Sequence, residues 1–358
     1  MRTVVYSSPF VPAEWLAAHG LRPVRLRPGA GAPAESLGPI MGMCPYARAF
    51  VGEAASMPGV DGVVLTTTCD QMRRAAEWLA LGGGPPVFLM NVPATWQTPA
   101  AARLYRDELQ RMGRFLVGLG GAPPSRDGLA ETLEAYDARR AALRGALGAL
   151  GPRGASEAVA RFDAGEEAHD AALRDLGRGG SPDPPRLNRT RGAQDAGGAA
   201  GQETCRARAL SRAVPLALVG GPLRRDDVRL FDAIERAGGL VVLDGTESGA
   251  RTLPAPFDRR RLRDDPLLEL VDAYFGVIPD IFRRPDTALH QWLGRELAAS
   301  SARGIILWRN VWCDLWAASV GRLRETTGLP VLDLDVSGED AGFGRTGDRI
   351  QAFMEMLR

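Results

Sequence analysis

Short apolar runs alternate with helix-like stretches along most of this 358-residue chain, and this alternation constrains its fold more than any other feature. Runs such as GVVLTT at 62–67 and PVFLMN at 86–91 predict strands, and a stretch with helical spacing follows each of them. Repeated strand–helix units are typical of parallel sheets covered by helices. The chain is therefore predicted to be an α/β protein.

The alternation occurs twice and is interrupted once. Residues 177–203 contain few apolar side chains and much Gly, Pro and Arg, which predicts a mobile linker or a long surface loop. We predict two small doubly wound parallel-sheet domains of the Rossmann or flavodoxin-like type, with four strands each. The predicted parts are an N-terminal domain at 1–125, a helical connection at 126–176, a flexible linker at 177–207 and a C-terminal domain at 208–358.

Charge and composition argue against several classes of function. The 44 basic residues nearly balance the 43 acidic ones, so neither nucleic acid nor a membrane surface is an expected partner. Every basic residue is an arginine, and the lack of lysine excludes P-loop nucleotide hydrolysis and Schiff-base catalysis. The three histidines form no metal-binding pair, which disfavours a histidine-built metal site and a Ser-His-Asp triad.

The N-terminal residues MRTVVYSSPF predict a first strand rather than a signal peptide. No apolar run reaches the length of a membrane span. We therefore expect a cytoplasmic protein whose four cysteines stay reduced. Reduced cysteines in such a chain point to metal, cluster or redox chemistry rather than to disulfides.

Three cysteines occupy equivalent local settings. Cys69 follows the strand GVVLTTT, Cys313 follows the strand GIILWRN, and each precedes a predicted helix; Cys44 stands just before Pro45, a favoured first helical residue. Each thiol is therefore expected at a helix N-terminus, where backbone N–H groups and the helix dipole stabilise an anion. Cys69 and Cys313 are each followed by an aspartate, which indicates two pseudo-symmetric domains facing one another across a cleft.

Three chemistries suit three such thiols. They are buried cysteines that act as small hydrophobic side chains, a zinc site, or an iron–sulfur cluster. Structural zinc normally needs four ligands, usually from closely spaced Cys and His pairs, which this chain lacks. We therefore predict one 4Fe–4S cluster with an open fourth iron position, held by Cys44, Cys69 and Cys313 in the cleft between the domains. Cys205, at the end of the linker, is expected to be an incidental thiol, and its role is left open.

Around these cysteines and elsewhere the chain resembles the 2-hydroxyacyl-CoA dehydratase family (D-component), which includes the cluster subunits of benzoyl-CoA reductase. The resemblance covers both halves and skips the linker. It lies in the segments MGMCPYARAF, VVLTTTCDQMRRA, PVFLMNVPATW, LVGGPLRRDD, AGGLVVLDGT, WRNVWCDLW and TGLPVLDLDVSGEDAGFGRTGDRIQAFMEML. The chain departs from the family in three features: it lacks the extra cysteines of double-cubane relatives, its linker is unusually rich in Gly and Arg, and TESGAR (Thr246–Arg251) lacks the cysteine that some members carry nearby.

The resemblance implies two α/β domains with a cluster between them, on cysteines that correspond to Cys44, Cys69 and Cys313. It also implies an acyl-CoA substrate, a homologous second subunit, and a separate ATP-hydrolysing iron–sulfur activator that injects a low-potential electron. The electron makes a ketyl radical anion of the thioester, which acidifies a β C–H bond or starts reduction of an aromatic ring. We expect a lyase subunit that removes water from an acyl-CoA; the alternatives are a benzoyl-CoA-type reductase subunit and a non-catalytic electron-relay subunit.

Several other residues have candidate roles. Arg48, Arg73 and Arg74 lie one turn past cluster cysteines and suit either CoA phosphates and cluster sulfides or a solvated helix face. Tyr46 and Trp312 flank ligands and suit either screening of the cluster from water or ordinary packing. Dehydration requires a base for proton transfer, which the sequence does not identify. Polar residues that follow strands and are candidates for the cleft are Asn91, Gln97, Asp335, Glu339 and Asp340.

Overall fold

The computed structural model describes residues 1–29, 42–166, 212–337 and 343–358. The predicted linker at 177–203, Cys205, Glu339 and Asp340 lie outside these residues. Within the described residues, no helix combines the length and the apolar character needed to cross a membrane.

The first half forms a four-stranded parallel sheet in the order β2-β1-β3-β4. Its strands are β1 (Thr3–Tyr6), β2 (Arg22–Arg25), β3 (Val60–Thr66) and β4 (Val87–Met90). Its helices are α1 (Ala13–Ala18), α2 (Pro45–Ser56), α3 (Asp70–Leu81) and α4 (Pro99–Gly118). The strands are apolar on both faces because helices cover both: Val64 packs into one core layer, while Val63 and Leu65 pack into the other.

Two helices connect this sheet with the rest of the described chain: α5 (Arg126–Leu147) and α6 (Gly151–Asp163). Ser125 caps α5 by accepting a hydrogen bond from the backbone N–H of Gly128 at 3.0 Å. The two helices pack against one another through a small apolar cluster that includes Leu143, Val159 and Phe162.

The second half repeats the topology of the first, with strand order β6-β5-β7-β8. Its strands are β5 (Val214–Gly220), β6 (Gly239–Thr246), β7 (Gly304–Asn310) and β8 (Val331–Val336). Its helices are α7 (Arg229–Arg236), α8 (Arg259–Asp264), α9 (Pro266–Val271), α10 (Thr287–Ser300), α11 (Asp314–Thr327) and α12 (Gly344–Leu357). The predicted fold class, two four-stranded parallel α/β sheets, is confirmed.

The two halves share a hydrophobic core. A segment of the second half that includes α8 and α9 buries Phe257, Leu270 and Phe275 in the same cluster as Val4 of β1 and Leu133 of α5. Much of the region between β6 and α10 therefore packs on the first half, although Ile281 packs on its own sheet. The predicted domain boundaries at 125, 176 and 207 stay a prediction.

Arginines at the end of β2 also bridge the halves. Arg25 donates to the backbone oxygen of Glu247 at 3.1 Å, and Arg27 donates to that of Ser248 at 2.9 Å. Arg225 forms a two-pronged ion pair with Glu53 of α2, at 2.7 and 2.8 Å. These contacts set the turn after β6 against the first sheet, next to the ends of its strands.

Candidate functional site

A cavity of about 80 Å³ lies where the carboxyl ends of strands from both sheets meet. Open α/β sheets bind ligands at this edge. The lining residues include Ser7 after β1, Cys69 after β3, Glu247 after β6 and Cys313 after β7. Cys44 lines the same cavity, so the structure brings all three predicted ligands together.

The first of these cysteines is fixed by two helices. Cys44 is the N-cap of α2, and its sulfur accepts a hydrogen bond from the backbone N–H of Ala47 at 3.4 Å. Pro45 occupies the first turn, where a missing N–H costs nothing. The backbone N–H of Cys44 donates to the Gln71 side chain at 2.8 Å, which ties the start of α2 to the first turn of α3.

Cys69 and Cys313 are the N-caps of α3 and α11. The backbone N–H of Cys313 donates to the carbonyl oxygen of Asn310 at 3.1 Å, which closes a tight turn after β7. Trp312, in this turn, has φ of 64°, a left-handed conformation that bulky residues rarely adopt. Strained backbone of this kind concentrates at functional sites, because only a constrained surrounding maintains it.

Without a bound group, the thiolate forms of the three cysteines are unfavourable. Burial raises the pKa of Cys69 to about 12 and that of Cys313 to about 11, and it also raises the pKa of Cys44. Backbone N–H groups at the helix starts lower these pKa values in part, whereas the charge of Cys44 raises those of its two neighbours. A bound cationic centre reverses this balance, because it stabilises coordinating thiolates directly.

Within the ranges that the structure describes, no three His, Cys, Asp or Glu side chains are arranged to hold a metal ion. A four-iron cube takes one thiolate per iron, so its ligands stand farther apart than those of one ion. Three N-cap thiols around one cavity fit such a group.

Unsatisfied polar atoms support a bound group in this cavity. Ser7 and Asn310 line it and are 4% and 5% exposed. The Ser7 Oγ and Asn310 Oδ1 atoms are buried without a hydrogen-bond partner among the described residues. Because buried polar atoms are nearly always paired, these two atoms call for a ligand or water in the cavity.

Two carboxylates that the sequence did not single out line the same cavity: Glu247 and Asp280. Burial and the nearby charge of Asp280 raise the pKa of Glu247 to about 7, against the lowering effect of Arg25 and Arg251. Arg25 lies 3.7 Å from Glu247, and Arg251 lies 3.3 Å from Asp280. A signal for Glu247 was present, since TESGAR follows a predicted strand; Asp280 lies in a loop that follows no strand and gives no such signal.

The raised pKa of Glu247 predicts a pH-dependent stability. Its protonated form is favoured in the folded state, so its contribution to the free energy of unfolding is complete below pH 4.5 and is lost as the pH rises through about 7. Glu247→Gln is neutral throughout and should remove this loss. Thermal unfolding of the metal-free chain from about pH 5 to about pH 8 measures it. Glu53→Gln, which removes a bridging carboxylate outside the cavity, is the control; equal pH profiles for Glu247→Gln and the unaltered chain would contradict the expectation.

The two aromatic candidates, Tyr46 and Trp312, differ in burial and in whether they line the cavity. Tyr46 is 5% exposed and lines the cavity, and its hydroxyl donates to the carbonyl oxygen of Leu26 at 3.4 Å. Trp312 is 53% exposed and is not part of the cavity wall, whereas Trp316, 3% exposed, is. The geometry therefore suits Tyr46 and Trp316 for screening the cavity from water and gives no support to Trp312.

The arginine candidates lie outside the cavity lining. Arg73 is exposed and pairs with Asp70 at 3.4 Å. Arg74 donates to the carbonyl oxygen of Gly42 at 2.9 Å, which holds the loop before Cys44, and Arg48 is half-buried. The remaining candidates that the structure describes are Asn91 and Gln97, which are exposed, and Asp335, which pairs with Arg349 at 3.0 Å.

Comparison with protein families finds a match over nearly the whole chain. The family model described as "2-hydroxyglutaryl-CoA dehydratase, D-component" matches residues 9–357. The matched range contains all three cysteines of the cavity, the second sheet, and the first sheet except β1. A search of curated proteins finds no match.

Proposed function

We propose that this chain, which belongs to the 2-hydroxyglutaryl-CoA dehydratase D-component family, is the iron–sulfur subunit of a radical 2-hydroxyacyl-CoA dehydratase. The single observation that supports it most is the convergence of Cys44, Cys69 and Cys313 on one cavity at the carboxyl edge of both sheets. The family is that of a dehydratase, so the chain is a lyase-type subunit.

In this proposal the three cysteines hold one 4Fe–4S cluster whose fourth iron is open. When bound, such a cluster would transfer a low-potential electron that it receives from a donor, and would offer a Lewis-acid position for the thioester carbonyl. The N-termini of α2, α3 and α11 stabilise its negative charge, at roughly 0.3–1 kcal/mol per helix and up to about 2 when partly buried. Tyr46 and Trp316 exclude water from the cavity.

Elimination of water from a 2-hydroxyacyl-CoA removes a proton from the β-carbon and hydroxide from the α-carbon. Glu247 is our candidate for moving that proton through a carboxylate oxygen, because it lines the cavity and has a pKa of about 7. A group with such a pKa both accepts and releases a proton efficiently near neutral pH. Asp280 acts on Glu247 through its charge.

The electron must come from elsewhere. The chain has no lysine and therefore no P-loop lysine for ATP. We propose an ATP-hydrolysing iron–sulfur activator as electron donor, a homologous second subunit as the stable partner, and the cytoplasm as the compartment. The proposed cluster of this chain requires an oxygen-free setting, since an iron without a thiolate is exposed to oxidant.

One observation favours a second candidate, a non-catalytic electron-relay subunit. The cavity measures only about 80 Å³, and buried Tyr46 and Trp316 close it. A sealed cluster suits electron relay, whereas an open iron that a substrate reaches suits catalysis.

The test combines the chain with its homologous partner, a reduced activator and ATP under anaerobic conditions. We expect water to be eliminated from 2-hydroxyglutaryl-CoA or a related 2-hydroxyacyl-CoA, with no turnover without ATP and irreversible loss in air. Reduction of benzoyl-CoA instead would identify a reductase subunit. Reversible reduction of the cluster, with turnover that persists when this chain's Glu247 is replaced by Gln, would identify a relay.

A further inference from the structure

A second cavity, of about 850 Å³, lies along the edge strand β6 of the second sheet, between α6 and α10. Its volume is within the range of pockets that enclose small-molecule ligands. Apolar side chains such as Leu243 and Ile278 form much of its wall, together with three arginines, Arg144, Arg251 and Arg295.

This larger cavity adjoins the cysteine cavity. Arg251 lines the larger cavity and Asp280 lines the smaller one, and their side chains are 3.3 Å apart. Gly249 and Arg251 in its wall follow the carboxyl end of β6, and Glu247 in the same turn lines the cysteine cavity. The Arg251–Asp280 ion pair therefore joins the walls of the two cavities.

Buried polar atoms in this wall lack partners. The Arg251 side chain is 0% exposed, and its Nη2 atom has no hydrogen-bond partner in the described ranges. The same holds for the Oδ2 atom of Asp244, which also lines the cavity. An unpaired donor and an unpaired acceptor in one wall complement a ligand with amide groups, which carry one of each.

An aromatic ring and an exposed cation complete the lining. Trp292 is half-buried, and Gly245 of β6 lies against it: a Cβ on Gly245 would be 3.3 Å from the indole ring. The exposed Arg295, one turn along α10, has no ion pair with a described residue. Aromatic faces stack on nucleobases, and guanidinium groups pair with phosphates.

We propose that this cavity binds the coenzyme A arm of the substrate, with the adenine on Trp292, phosphate near Arg295 and the pantetheine amides toward Asp244 and Arg251. The thioester then reaches the cysteine cavity past the Arg251–Asp280 pair. This assignment rests on the proposed function for its choice of ligand, and it adds the residues that recognise that ligand.

A third cavity offers a direct comparison. It measures about 680 Å³ and includes His19, Gly113 and the exposed Arg114 in its lining. These residues lie at the ends of α1 and α4 that return to the amino edge of the first sheet, because both helices run back from strand carboxyl ends. A CoA arm there would lead away from the cysteines.

The experiment titrates coenzyme A, and separately adenosine 3′,5′-bisphosphate, into the full metal-free chain by calorimetry. Trp292→Ala and Arg295→Ala should each weaken coenzyme A binding about tenfold or more. Arg114→Ala, the matched exposed arginine of the third cavity, should leave the affinity unchanged. Trp292→Phe keeps an aromatic face and guards against a misfolded alanine variant; it should retain most of the affinity.

Any other pattern would overturn the assignment, including no binding by the unaltered chain or loss in Arg114→Ala. Iron and sulfide content of the same variants, reconstituted anaerobically, is measured in parallel and should match that of the unaltered chain. Failure of the cluster proposal would appear as missing iron, whereas failure of this assignment would appear as unaltered coenzyme A binding in the Trp292 and Arg295 variants.

Discussion

Replacing Gly220 with alanine is expected to lower the free energy of unfolding by roughly 4 kcal/mol or more, enough to abolish folding of a marginally stable chain. Gly220 ends β5 with φ of 143°, a conformation that L side chains rarely adopt. A Cβ there would be 1.9 Å from the carbonyl oxygen of Trp308 in β7. The backbone of Gly220 and the carbonyl group of Trp308 belong to paired strands of one sheet. Neither is therefore free to shift without breaking the β5–β7 pairing.

Gly221→Ala is the matched control. A Cβ on the neighbouring Gly221 would meet no atom within 4 Å, so its cost should stay below about 1 kcal/mol. Denaturant unfolding of both metal-free variants, compared at the midpoint of the transition, measures the difference. Equal stability of the two variants would show that the backbones of Gly220 and Trp308 do not approach one another this closely.

Serine in place of Cys44, Cys69 or Cys313 should reduce the bound iron and sulfide to a small fraction of that in the unaltered chain. In the proposed site each thiol is one of three ligands, and the loss of one would leave too few protein bonds to hold a cube with an open fourth iron. Cys205→Ser is the control and should retain the full complement. Iron and sulfide assays with the visible absorbance of anaerobically prepared variants measure this. A complete cluster in any of the first three variants would remove that residue from the ligand set.

The alternation of apolar runs and helix-like stretches predicted the fold because the apolar runs are the buried strands of both sheets. The start of helix α2 at Pro45 was predicted, since a proline at this position favours the first turn of a helix. The helix α8, Arg259–Asp264, was not predicted, because RRRLRD has no apolar period. Its stability comes from the N-cap Asp258 and from Leu262, which is buried in the core of the other half.

The site was predictable only in part. Strand-to-helix turns placed Cys69 and Cys313 at the carboxyl edges of two sheets, and the shared topology then brings them to one cavity. Asp280 reaches that cavity from a loop that packs on the first half, which is a tertiary contact without a local pattern. Trp312 was expected to flank the cluster, but the left-handed turn at this residue leaves it 53% exposed.

Metal and sulfide analysis of the anaerobically purified chain distinguishes a cluster from a zinc ion and from free thiols. The proposed site predicts about four irons and four acid-labile sulfides per chain, with no stoichiometric zinc. Stoichiometric zinc, or a folded chain that takes up neither iron nor sulfide on reconstitution with its partner subunit, would contradict an iron–sulfur centre on Cys44, Cys69 and Cys313.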